Sequence, residues 1–193
     1  TERRREIPYE PEGRIWLADI LLDVIRSTGI DAEGRTNRFY KNGGLNAVLN
    51  EISHISGNSV KTQYFEALLT MQLSTNEIAE IATDISRQIS SNTSCGILFK
   101  DFVDVFLVNE ITAKAYFKSI SRLSSNTGIS SILRNALKFH ELSNDMLKNL
   151  LNCAGKMSSN TETGYVLKQV NPVFPNENNV TDAYFSVIDG MTS

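Results

Sequence analysis

The chain has 193 residues, 41% of them apolar, and a formal net charge of −3. That apolar content excludes a disordered chain. No apolar run approaches the roughly 18–20 residues that cross a bilayer and no signal-peptide pattern opens the chain, so membrane insertion of this segment is not expected. Basic residues cluster only at Arg3-Arg4-Arg5, among Glu2, Glu6 and Glu10. Phosphate binding needs clustered, unbalanced Lys and Arg, so nucleic acid is not an expected partner.

Residues 1–12 read as a polar, extended entry with Pro8 and Pro11. A helix is predicted over 11–28, with Ile15, Trp16, Ile20, Val24 and Ile25 at helical spacing. Leu17 and Leu21 widen that face, which predicts burial on more than one side. Gly29 is a natural left-handed stop. Asp31 is expected to cap a short helix through Lys41, and Gly43-Gly44 to turn the chain into a third helix ending near Ser53. These three helices, residues 1–54 with the entry, read as a leader that covers the first of a series of repeat units.

The repeat has a period of 34 residues. Ile55-Ser56-Gly57-Asn58-Ser59 returns as Ile89-Ser90-Ser91-Asn92-Thr93, as Leu123-Ser124-Ser125-Asn126-Thr127 and as Met157-Ser158-Ser159-Asn160-Thr161. The units are 55–88, 89–122, 123–156 and 157–190, each read as a helix pair. The Ser/Asn clusters are expected to end one helix and cap the next, because these side chains compete for backbone hydrogen bonds. A small residue recurs at Thr62, Gly96, Ser130 and Gly164, for which close helix packing is the expected reason. Buried apolar pairs are expected at Tyr64-Phe65, Leu98-Phe99, Ile132-Leu133 and Val166-Leu167, and in the second helices at Tyr116-Phe117, Leu150-Leu151 and Tyr184-Phe185. Caps for the second helices are Ser74 with Glu77 in capping-box spacing, Asn109 and Ser143. In the fourth unit Pro172 and Pro175 break the first helix early, and Asn176-Glu177-Asn178-Asn179 makes a polar loop. Residues 191–193 fall where a fifth unit would open. The first residue is Thr and not Met, so the chain is expected to be a fragment or processed form, with any targeting signal or anchor upstream.

The period matches that of tetratricopeptide repeats, but their tryptophan column is held here by Asn58, Asn92, Asn126 and Asn160, and their closing proline is absent. The chain more closely resembles bacterial HEAT-like repeats with Ile-Ser-Ser-Asp-Tyr-type openings, found in tails of membrane-associated proteins including some relatives of beta-lactam-sensing metallopeptidases. The leader is similar too, at Glu12-Gly13-Arg14-Ile15-Trp16, Arg26-Ser27-Thr28-Gly29-Ile30, Ala32-Glu33-Gly34-Arg35 and Gly43-Gly44-Leu45-Asn46-Ala47. The departures are Asn for Asp in all four openings, and Ser or Thr for the Tyr. The resemblance implies architecture and an auxiliary role, with no catalytic residues to place.

His140-Glu141-Leu142-Ser143-Asn144 is one histidine short of a zinc-protease helix, and Asn is a poor substitute for the missing ligand. The only other histidine is His54, and helix ends are the expected place for both. Cys95 and Cys153 occupy different repeat positions and are expected to be buried free thiols; their separation, which a disulfide would need to be short, is not readable from sequence. An enzymatic alternative would draw on Asp19, Asp23 or Arg38 in the leader. The expectation is an all-α, right-handed α-solenoid with a helical leader. It would act as a non-catalytic scaffold or protein-interaction module in a longer bacterial protein, with no cofactor and no metal. The partner is a protein or peptide, and the resemblance suggests an extracytoplasmic or membrane-associated setting. The alternative is a regulatory domain attached to a membrane-associated peptidase.

Overall fold

The computed structural model describes residues 9–138, 142–174 and 177–191. Among these residues the chain is all-helical, without a strand. In chain order the α-helices are α1 (Arg14–Thr28), α2 (Ala32–Ser53), α3 (Asn58–Leu69), α4 (Thr75–Gln88), α5 (Asn92–Asp101), α6 (Val103–Phe106), α7 (Glu110–Ile120), α8 (Asn126–Ala136), α9 (Asn144–Ala154), α10 (Asn160–Val170) and α11 (Asn178–Met191). Helices α2, α3, α5, α8 and α10 pack side by side in that order, and α4, α7, α9 and α11 form a second row against them.

The core lies between the rows. Tyr64, Phe65, Leu98, Phe99, Ile132, Leu133 and Val166 are fully buried on the first row, facing Tyr116, Leu150 and Leu151 on the second. Phe99, Phe106 and Tyr116 meet with ring centroids 5.3–5.6 Å apart. The Tyr116 hydroxyl donates to the Phe99 carbonyl at 3.0 Å, as a buried hydroxyl must find a partner. The expected apolar pairs hold except the last, since Phe185 is exposed and Tyr184 half-buried. Tyr184 meets the Phe174 ring edge-on with centroids 5.0 Å apart and donates its hydroxyl to Asn171 Oδ1 at 2.7 Å.

The opening clusters divide their labour more finely than a cap would. The N-caps are Ser91, Ser125 and Ser159, whose side chains accept from the N–H of Ser94, Gly128 and Glu162. Gly57 holds that place in the first cluster and has no side chain to cap with. The Asn one residue on reaches across to the next cluster. Asn58, Asn92 and Asn126 each donate through Nδ2 to the hydroxyl of Ser90, Ser124 and Ser158 and accept that serine's N–H through Oδ1. Asn160 instead donates to the Met191 carbonyl at 2.7 Å. The capping-box pair Ser74–Glu77 and the caps Asn109 and Ser143 form as expected.

Three further expectations are corrected. The Asp31 side chain makes no cap bond; its backbone is left-handed (φ 56°) and its carboxylate takes Arg38 at 2.7 Å. Gly96 is not there for close packing, because beyond its chain neighbours and its own helix backbone no heavy atom lies within 4 Å of where its Cβ would sit, and Gly164 has only Met191 Cε there, at 3.9 Å. Helix α1, expected to be buried on more than one side, leaves Ile15, Trp16, Leu17 and Leu21 each about half exposed, at 62%, 57%, 46% and 53%. The sequence pattern shapes that helix, but apart from the helical turn Tyr9–Gly13 that precedes it, it packs chiefly on α3. Gly29 ends it as expected with φ 71°. The turn at Gly43-Gly44 also forms, as a kink within α2 where Gly44 takes φ 64° and ψ −163°, a region essentially reserved for glycine.

Candidate functional site

Each chemical candidate from the sequence has a place or falls outside the described residues. His140 and Glu141 lie outside them, as do Pro8, Pro175 and the side chain of Asp19. His54 sits at the C-terminus of α2, its Nδ1 2.7 Å from the Asn50 carbonyl oxygen. Asp23 is exposed on α1 and Arg38 is engaged by Asp31. Among the described residues no three His, Cys, Asp or Glu side chains come together as a metal site. Both cysteines are free and buried. Burial raises the Cys95 thiol to about 11 and the Cys153 thiol to about 12.

The structure adds a charged cluster that periodicity cannot reveal. Glu51, 4% exposed, accepts Arg26 Nε at 3.0 Å and Arg35 Nη2 at 2.9 Å on one oxygen, and Arg26 Nη2 at 2.6 Å on the other. Arg35 Nε also donates to the Tyr64 hydroxyl at 2.9 Å. Burial alone would raise the Glu51 carboxyl; hydrogen bonds from Arg26 and Arg35, with their charges, outweigh it and hold the group below its ordinary value. A carboxylate occupied on both oxygens is no general base. Its work is to fasten α1 and the start of α2 to the end of α2, while Arg35 carries the link on to Tyr64 of α3.

Three cavities open along the α3, α5, α8 and α10 row. One of about 510 Å³ lies between the start of α2 and α3 and is lined by Asp31, Glu33, Gln63 and Glu66. One of about 300 Å³ lies between α5 and α8 beside Thr93, Gly96, Ile97 and Gly128. One of about 320 Å³ lies between the ends of α5 and α8 and α10, lined by Lys100, Ser131, Arg134, Asn135, Lys138 and Gln169. The positions are those one period apart that packing does not use: Glu66, Lys100, Arg134 and Lys168 share one column. That column is visible in the sequence, but its outward direction is not, because either helix of a pair could have faced solvent there.

Comparison with protein-family models, with curated proteins and with solved structures finds no match to this chain.

Proposed function

We propose that the chain is a right-handed α-solenoid of four 34-residue helix pairs behind a helical leader, and that it serves as a non-catalytic scaffold or protein-interaction module within a longer bacterial protein of the HEAT-like kind. The observation that carries this reading is the division of positions. The recurring Asn, Ser and apolar columns are taken up by caps, cross-links and core, while one whole row of helices offers a face of non-recurring side chains. Stacked helix pairs use such faces for extended partners.

The test is a pull-down from the native organism with the full-length protein, repeated with residues 55–190 deleted. Partners are expected to be lost with the deletion. If every partner survives it, the segment is a spacer and the interaction reading fails.

A second reading, an accessory domain seated on a membrane-associated peptidase, is favoured by α1. An apolar helix with Ile15, Trp16 and Leu21 in water is the kind of surface that a neighbouring domain covers. Co-expression with the adjoining domain should then protect Trp16 from a water-soluble fluorescence quencher; unchanged quenching would rule that seat out.

A further inference from the structure

The outer face of the first row changes character along its length. No Lys or Arg lines the cavity at the α2/α3 end, where Glu33 and Glu66 are unpaired by any basic group lining it. Asp101 adds to this end, since burial and then the Asp101 charge raise the Glu66 carboxyl above its ordinary value. No carboxylate lines the cavity at the α8/α10 end, where Lys100, Arg134 and Lys138 converge. Next to the basic end lies the cavity of Gly96 and Ile97, which no carboxylate lines and whose one charged lining residue, Lys100, it shares with that end.

Two details mark the basic end as prepared. Asn135 Nδ2 donates to the Lys100 carbonyl at 3.2 Å and Gln169 Nε2 to the Arg134 carbonyl at 3.1 Å, so the helix ends bearing the cations are pinned to their neighbours. Arg134 stacks over Tyr165 at 5.9 Å, and its Nε is buried without a hydrogen-bond partner. A carboxylate is the acceptor whose two oxygens match the pair of terminal guanidinium nitrogens. In the middle, Gly96 sits inside a helix where alanine is preferred, and the space its Cβ would enter is empty.

We propose that this face binds an extended, charge-polarised peptide. An apolar side chain enters the cavity at Gly96 and Ile97, carboxylates to one side of it engage Arg134, Lys138 and Lys100, and a Lys or Arg to the other side meets Glu66 and Glu33. A nucleic-acid strand does not fit this sequence of charges, because its phosphates would run onto Glu66 and Asp101. The inference rests on the interaction-module reading and names its partner class.

The experiment is selection from a random dodecapeptide library on the full chain at low salt, followed by fluorescence-polarisation titration of the enriched peptides. The enriched sequences are expected to carry an aliphatic residue with Asp or Glu clustered on one side and Lys or Arg on the other. The double variant R134E/K138E should weaken them at least tenfold, and a peptide with its Glu residues changed to Lys should recover that loss. The neutral R134Q/K138Q, checked for native circular dichroism, should lie between. G96L, which fills the central cavity, should also weaken binding at least tenfold. Enriched peptides without acidic residues, or affinities within twofold in R134E/K138E, would overturn the proposal. Peptides that bind elsewhere on the chain would sink this inference while leaving the interaction-module reading standing, which fails only in the deletion pull-down.

Discussion

Asn126 and Ser158 hold each other by two hydrogen bonds in opposite directions: Asn126 Nδ2 donates to the Ser158 hydroxyl at 2.9 Å, and the Ser158 N–H donates to Asn126 Oδ1 at 3.0 Å. The same geometry joins Asn58 to Ser90 and Asn92 to Ser124. A side-chain amide donates and accepts on one plane, which suits asparagine to this place in the first three copies.

Removing the amide should therefore loosen the seam between neighbouring helices. Asn126→Ala is expected to lower unfolding free energy by about 1–2 kcal/mol, the net of two partly exposed bonds. Ser125→Ala removes the true cap and should lose about 1 kcal/mol. Asn126→Asp keeps the oxygen that accepts the Ser158 N–H and adds a charge at a helix N-terminus, so it should stay within about 1 kcal/mol of the parent. Urea denaturation measures all three; an alanine variant as stable as the aspartate one would contradict the assignment.

Core truncation should outweigh either surface change. Phe99 is fully buried against Phe106 and Tyr116, and Phe99→Ala is expected to lose about 3–5 kcal/mol through lost burial and the cavity left behind. If urea denaturation ranked Asn126→Ala as the worse variant, the division between core and seam would be wrong.

Features that depend on near neighbours are legible in the sequence. The capping box at Ser74–Glu77, the stop at Gly29 and the buried pairs around Phe65, Phe99 and Leu133 all come from spacing within a few residues. The role of Asn126 is not legible in this way, because its partner is 32 positions away and a local cap is the simpler use of the same side chain. Arg26, Arg35 and Glu51 give no periodic signal, since their meeting depends on how α1 lies against α2 and how the kink at Gly43-Gly44 brings the two ends of α2 together. The exposed apolar face of α1 escapes for the same reason: periodicity tells which residues could be buried, and not whether a partner helix is there. The outward column of Lys100 and Arg134 is equally open to either direction until the rows are known.

The two thiols should be nearly inert in the folded protein. With Cys95 raised to about 11 and Cys153 to about 12 by burial, little thiolate exists at pH 8, and the thiolate is the nucleophile. Reaction with a chromogenic disulfide reagent is expected to be slower than that of free cysteine by more than about 100-fold, and both thiols should titrate at once in guanidinium chloride. Rapid modification of either one under native conditions would place it at the surface.

The Glu51 cluster should make α1 docking sensitive to acid. Because the folded-state carboxyl is held below its ordinary value, its contribution is present above the unfolded value near pH 4 and is lost as the pH falls through the folded one. Stability should thus decline below about pH 4, and Glu51→Gln should flatten this part of the dependence while lowering stability at neutral pH. Glu51→Ala leaves Arg35 half-enclosed beside Tyr64 without its counter-charge and should destabilise by about 3–5 kcal/mol, the loss expected when one partner of a buried pair is removed. Trp16 on α1 is the chain's only tryptophan, so its emission reports on that helix directly. An unchanged Trp16 signal and an unchanged acid limb in Glu51→Gln would show that α1 is held by something other than Arg26 and Glu51.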